Sequence, residues 1–158
     1  MWLGFLVLAI VLAIAIPLGI KQGKANKQLI EEGKMIPRGN RYAEKGEEFT
    51  SKIGSMENLK EKLQNMYLPC RMEGNTSQVK FTGEKFSARL YKVDFDEPSG
   101  IAIYRFEFTS WKTYRGMYEQ NNSMNVLMTS VDKVFLELDP NTAVKSYDID
   151  FKTKHSIF

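Results

Sequence analysis

The first twenty residues constrain this chain most, because nineteen consecutive residues, from Trp2 to Ile20, carry no ionisable side chain. As a helix rising about 1.5 Å per residue, this run would extend roughly 28 Å, close to the hydrocarbon thickness of a bilayer. Leu, Ile, Val and Ala dominate it, so the helix would be apolar on every face. The rest of the chain is too short to enclose such a helix. We therefore predict a single transmembrane helix over residues 1–20.

A cleaved secretory signal is the alternative interpretation of this segment. Such a signal has basic residues before an apolar core of about 7–15 residues, and a small-x-small cleavage site. Here no Lys or Arg precedes the apolar run, and the run is longer. Ala13 and Ala15 fit the small-x-small pattern, but they lie inside the run. The sequence favours an uncleaved anchor.

Three lysines directly after the apolar run predict the orientation of the protein. Lys21, Lys24 and Lys27 follow the run, and only the terminal amine precedes it. Because basic residues near a transmembrane helix stay on the cytoplasmic side, we expect a cell-membrane protein whose domain faces the cytoplasm. The single cysteine excludes an intrachain disulfide and agrees with this location. An extracytoplasmic domain remains the alternative.

The net charge of +3 is unevenly distributed along the chain. Residues 21–45 contain seven basic and three acidic residues, whereas residues 46–158 contain fifteen basic and sixteen acidic residues. The positive charge therefore belongs to a juxtamembrane tether, residues 21–46. This charge either only fixes the topology or also attracts the tether to anionic headgroups, by about 1 kcal/mol per basic residue. The nearly neutral remainder lacks the charge excess that drives phosphate-backbone binding, so nucleic acid is not an expected partner.

The remaining residues, 47–158, have the length and aromatic content of one folded domain. Apolar residues spaced by three and four predict helices over residues 51–66 and 124–138. Alternation of apolar and polar residues predicts four strands, over residues 78–81, 85–96, 101–109 and 145–152. We expect a bulge near Tyr91 in the second strand and a position at the sheet edge for the last. We therefore predict an α+β fold, a two-layer domain in which two helices pack on one face of an antiparallel sheet.

One group of aromatic and basic residues follows the clearest strand. It consists of Trp111, Tyr114, Arg115 and Tyr118, with Lys112 among them. Such a group can contact a partner or rest in a membrane interface, or it can complete the core at the end of a strand. We name these four residues as the candidate contact patch.

Residues that could support catalysis are few. Asp94, Asp96, Asp148 and Asp150 could form a carboxylate site, but the spacing of a loop calcium motif is absent and no metal or other cofactor is predicted. A dyad of Cys70 and His155, the only cysteine and histidine, would need the C-terminal tail to fold back onto the domain. Phosphate-binding glycine loops, paired zinc spacings and hydrolase motifs are missing from the sequence.

These observations predict a membrane location but do not indicate a specific biochemical activity. We expect a single-pass membrane protein that displays a small α+β module and binds a protein partner or ligand at the lipid bilayer. The alternatives are a small membrane-tethered hydrolase that uses the four aspartates, and an extracytoplasmic binding or sensor domain. The pattern favours a binding module over an enzyme.

Overall fold

The computed structural model describes residues 23–149, which fall into two compact units that divide between Pro37 and Arg38. In the first unit, residues 23–31 form helix α1. The N–H of Gly33, at φ 66°, donates to Ile30 O at 2.9 Å, and the N–H of Lys34 donates to Leu29 O at 2.9 Å. This pair of bonds is a Schellman cap, in which glycine tolerates the left-handed backbone. Helix α1 therefore ends at Gly33.

The predicted transmembrane helix, residues 1–20, lies outside the described residues. Between residues 23 and 149, no helix is both long enough and apolar enough to cross a bilayer. The anchor therefore stays a prediction from the sequence.

The second unit contains an antiparallel sheet and two helices, which confirms the predicted α+β class. The strands follow the order β2-β3-β4-β5-β1-β8, and a separate pair, β6 and β7, forms a small hairpin. In chain order the elements are β1 (Lys45–Ser51), α2 (Met56–Gln64), β2 (Arg71–Gly74), β3 (Gln78–Thr82), β4 (Phe86–Asp96), β5 (Ile101–Trp111), β6 (Thr113–Tyr114), β7 (Met117–Tyr118), α3 (Asn121–Leu138) and β8 (Ala143–Asp148).

The β4–β5 hairpin is the part of the sheet that the sequence predicted best. Its two strands are antiparallel and joined by a turn that ends at Gly100, where φ is 66°. The register shifts between Lys92 and Asp94, next to the expected bulge near Tyr91. Such a bulge changes which face the following side chains occupy. A second shift, between Ser87 and Ala88, was not expected.

Both helices contribute to one core against a single face of the sheet. The rings of Phe49 on β1 and Phe135 on α3 stack with their centroids 4.1 Å apart, and Tyr104 on β5 lies 5.4 Å from Phe135. Leu59 and Leu63 bring α2 into the same cluster. The face of β5 predicted to be apolar is completely buried, at Ala102, Tyr104, Phe106 and Phe108.

Strand β1 is the main difference from the predicted secondary structure. Lys45–Ser51 lies between β5 and β8, whereas the sequence pattern placed these residues in the tether and at the start of a helix. The compact unit begins at Arg38, before the expected boundary near Glu47. Alternation is hard to recognise in β1 because its core-facing position 47 carries a glutamate. That glutamate is buried in an ion pair with Arg38, which lies outside the strand and nine positions earlier in the chain.

The ends of the other elements follow from capping and pairing. Helix α2 starts at Met56, since β1 continues to Ser51 and the Ser55 side chain accepts a hydrogen bond from the N–H of Glu57 at 3.1 Å. Strand β8 lies at the sheet edge, as predicted. Its Tyr147 is paired with Gly46 and lies on the face opposite the helices, where the tyrosine hydroxyl donates to Glu107 at 2.8 Å.

Candidate functional site

The hairpin β6–β7 carries part of the predicted contact patch. Arg115 and Gly116 connect its strands, with φ values of 50° and 78°. Two consecutive residues with positive φ are the geometry of a type I′ turn, which matches the twist of a two-residue hairpin. We call residues 114–117 the hairpin tip.

The two faces of the hairpin have different surroundings. Tyr118 and Thr113 are paired, and the Tyr118 ring packs edge-on against Tyr42 and Trp111, with centroid distances of 5.4 and 6.0 Å. Tyr114 and Met117 form the next pair, so they project from the opposite face. They are 62% and 68% exposed. One face of the hairpin therefore holds it to the domain, and the other presents two large apolar side chains to solvent.

Hydrogen bonds close the base of the hairpin. The N–H of Glu119 donates to Lys112 O at 3.0 Å, and the N–H of Lys112 donates to Lys85 O at 3.0 Å. The Lys85 ammonium pairs with the Glu119 carboxylate, and its backbone N–H donates to the Gln120 side chain at 3.1 Å. These bonds tie both ends of the hairpin to the β3–β4 turn and to the start of α3. The hairpin tip is thus presented on a fixed base.

The structure separates the four residues of the predicted contact patch into two groups. Trp111 and Tyr118 are partly buried and packed against the core, which is the alternative that the sequence left open for them. Tyr114 and Arg115 lie at the hairpin tip, with the guanidinium carbon 5.4 Å from the ring centroid. Sequence reasoning missed Met117. The signal was the Arg115–Gly116 pair between apolar residues, a typical hairpin pattern.

The predicted membrane-proximal lysines are only partly described. Lys21 lies outside the described residues, whereas Lys24 and Lys27 are exposed on α1. Lys27 pairs with Glu31 one turn later, at 3.7 Å between Nζ and Oε1. Exposed pairs of this kind contribute little to stability.

The three described aspartates, Asp94, Asp96 and Asp148, do not form a group that could hold a metal ion. Asp94 and Asp96 are exposed near the end of β4. Asp148 is exposed at the end of β8, where it lies 3.9 Å from the Lys45 ammonium, and Asp150 lies outside the described residues. Residues 23–149 contain no group of three or more potential metal-ligating side chains.

Cys70 is a poor candidate for a nucleophile. It is partly buried against the core, and this burial raises the pKa of its thiol to about 11. A thiol with a raised pKa stays protonated near neutral pH and is unreactive. His155 lies outside the described residues.

Sequence reasoning also missed a set of buried charges, which we call the buried charge cluster: Arg38, Glu47 and Asp132. The Arg38 guanidinium donates from Nη1 to Glu47 Oε1 at 3.0 Å and from Nη2 to Asp132 Oδ2 at 2.5 Å. Burial, and then the neighbouring Asp132, raise the pKa of Glu47 to about 8 although Arg38 opposes the shift. No local pattern marks these residues, because Arg38 and Asp132 are 94 positions apart.

An open pocket of about 250 Å³ lies where β1 and α3 end. It is lined by Lys52, Ile53, Gly54, Asn58, Leu138 and Asp139. The Asp139 carboxylate already accepts hydrogen bonds from the Lys52 N–H at 2.8 Å and the Ser51 hydroxyl at 3.0 Å. The bond from Lys52 is the main reason why the pKa of Asp139 is lowered. Its carboxylate ties the end of α3 to the end of β1.

Comparison with known proteins gives no relative: no protein-family model, curated protein or solved structure matches this chain.

Proposed function

We propose that this chain is a single-pass membrane protein whose α+β domain binds a protein partner through the hairpin tip. The observation that carries the proposal is the exposure of Tyr114 and Met117 on a hairpin whose other face is packed. Large apolar side chains that project side by side from a fixed base mark interaction sites. A binding module fits this arrangement better than an enzyme.

The residue types at the hairpin tip favour a protein over other partners. Tyr, Met and Arg are enriched in the cores of protein interfaces, and Tyr and Arg are frequent hot spots. Arg115 at the hairpin tip, and Lys112 three positions before it, add positive charge to this segment. The complementary surface is an apolar pocket with acidic residues at its rim.

The membrane anchor in this proposal is supported by the sequence of residues 2–20. Lys21, Lys24 and Lys27 support an orientation in which the domain faces the cytoplasm. An anchored binding module meets its partner in the two-dimensional neighbourhood of the membrane, so even a small contact such as the hairpin tip is effective there.

Site-specific crosslinking tests the proposed contact. A photoreactive amino acid replaces Met117 in the full chain, and the chain is irradiated in the membranes of its own cells. We expect an adduct with one protein. With Tyr114→Ser added to the same chain, the yield falls about tenfold or more, because truncating a hot-spot side chain costs at least about 2 kcal/mol.

The matched control places the same photoreactive residue at Tyr67, another exposed aromatic side chain, 73% exposed. This position should not give the same adduct. An adduct of lipid mass at position 117 would show that the hairpin tip contacts the bilayer instead. Equal yields from positions 67 and 117 would show non-specific contact, and either result contradicts the proposal.

A further inference from the structure

The buried charge cluster joins three parts of the domain. Arg38 is the first residue of the second compact unit, Glu47 is on the core-facing side of β1, and Asp132 is on α3. The exposed fractions of their side chains are 14%, 8% and 14%. Arg38 uses one terminal nitrogen for each carboxylate. The guanidinium therefore bridges the sheet and the helix.

Each carboxylate has a second oxygen that this arrangement leaves without a donor. Glu47 Oε2 and Asp132 Oδ1 are buried and have no hydrogen-bond donor among the described residues. Across the sheet Glu47 is opposite Phe106 on β5 and Ser146 on β8, neither of which is ionisable. The charged groups that act on Glu47 are therefore Asp132 and Arg38.

A proton on Glu47 removes this deficit, because a carboxyl group can donate to the facing carboxylate. Leaving a buried acceptor without a donor is unfavourable, and more so when the acceptor is charged. The electrostatics agree, since a hydrogen bond between the Glu47 carboxyl and Asp132 contributes to the raised pKa of Glu47. With the proton in place, the cluster is neutral: one cation, one anion and one neutral acid.

Loss of that proton to solvent changes the net charge of the cluster. Two carboxylates then share one guanidinium in a buried site, and the cluster has a net charge of −1. Repulsion between the carboxylates and the cost of burying the extra charge both oppose the closed arrangement.

We propose that the buried charge cluster is a pH-sensitive latch, which holds the start of the domain against β1 and α3 while Glu47 is protonated and loosens when that proton is lost. Residues 38–44 include Tyr42, whose ring packs on Tyr118 at the base of the hairpin and which lies near Arg38. The latch thereby sets how firmly this base is held. The proposal does not depend on the hairpin tip binding a partner.

Unfolding at different pH values tests the latch in the full chain, reconstituted in nanodiscs. An acid whose pKa is higher in the folded than in the unfolded state binds more protons when folded, so stability falls as the pH rises between the two values. We expect the unfolding midpoint of the parent protein to fall between about pH 5 and pH 8 and then to level off. Glu47→Gln, which keeps the shape and a permanent donor, should abolish most of this fall.

The control variant is Glu48→Gln, which changes the neighbouring residue on the opposite face, where Glu48 pairs with Arg105. It should keep the pH dependence of the parent. A flat profile in the parent, or parallel profiles of the parent and Glu47→Gln, would overturn the proposal.

Two further measurements keep the test decisive if Glu47→Gln does not fold. The carboxyl carbon of Glu47 in the parent, followed by NMR, should titrate near pH 8, and a midpoint below pH 6 would refute the latch. Amide exchange in residues 38–47, corrected for intrinsic rates, should rise with pH by up to about tenfold per unit in that window. No rise in residues 38–47, or a rise confined to α2, would also refute the latch.

Discussion

At the scale of single residues, Gly46 is required by the side chain that crosses it. Tyr147 on β8 passes over β1 and donates to Glu107 on β5, which also accepts from Arg89 Nε at 2.6 Å. A Cβ built on Gly46 would lie 2.2 Å from Cζ of Tyr147. The missing side chain therefore allows one tyrosine to connect three strands on the face opposite the helices.

Gly46→Ala tests whether the Tyr147 ring requires a glycine at this position. We expect the free energy of unfolding to fall by roughly 1–3 kcal/mol in urea denaturation, because the ring must leave its site or the strand must shift. The loss should shrink when Tyr147→Ser is already present, since the two positions are in contact. Gly54→Ala is the matched control, where the added Cβ meets an ordinary contact with Phe95 at 3.9 Å. Equal costs in both backgrounds would show that the ring does not cover Gly46.

At the scale of secondary-structure elements, short polar segments decide where each element begins. Ser55 has an extended backbone, with φ −117° and ψ 128°, and its hydroxyl satisfies a backbone donor in the first turn of α2. Helix α3 has no such side-chain cap at Gln120. Its length and its burial, which includes every residue from Met124 to Val131, stabilise it instead. Helix α2 has nine residues and therefore depends more on its cap.

Ser55→Ala should lower the free energy of unfolding by about 1 kcal/mol, the usual cost of losing an N-cap. Thermal unfolding followed by circular dichroism measures the change. Ser55→Asp should restore most of the stability, because aspartate also accepts the bond. If the alanine and aspartate variants lose the same stability, the hydroxyl does not act as a cap.

At the scale of the whole molecule, the proposed membrane orientation decides which partners can reach the hairpin tip. Cys70 is unsuitable as a labelling site because it is partly buried and its pKa is raised to about 11. Thr76 is exposed between β2 and β3 and offers a better position.

In a Cys70→Ser background, Thr76→Cys should react with a membrane-impermeant maleimide only after the cells are permeabilised. The control is a cysteine inserted after Met1, which should react in intact cells because the N-terminus is predicted to lie outside. Labelling of Thr76→Cys in intact cells would reverse the orientation and favour the extracytoplasmic alternative.

The candidate site was predictable in part. Trp111, Tyr114, Arg115 and Tyr118 were identified from their residue types, but the sequence could not say which of them project outward. That choice depends on Tyr42, because its ring fixes Tyr118 and so turns Tyr114 to solvent. The buried charge cluster was not predictable, since its members meet only through the fold.

The sequence by itself determined what depends on neighbours along the chain: the apolar run of residues 2–20, the end of α1 at Gly33, the buried face of β5 and the helical stripe of α3. The apolar run and the glycine are recognised from residue type alone, whereas the signals of β5 and α3 repeat every two and every three to four residues, the spacings that place side chains on one face. Only the tertiary structure decided that β1 is a strand beside β5 and that Glu47 is buried. A buried glutamate contradicts its local pattern and is tolerated because the buried Arg38 guanidinium, which also binds Asp132 on α3, pairs with it.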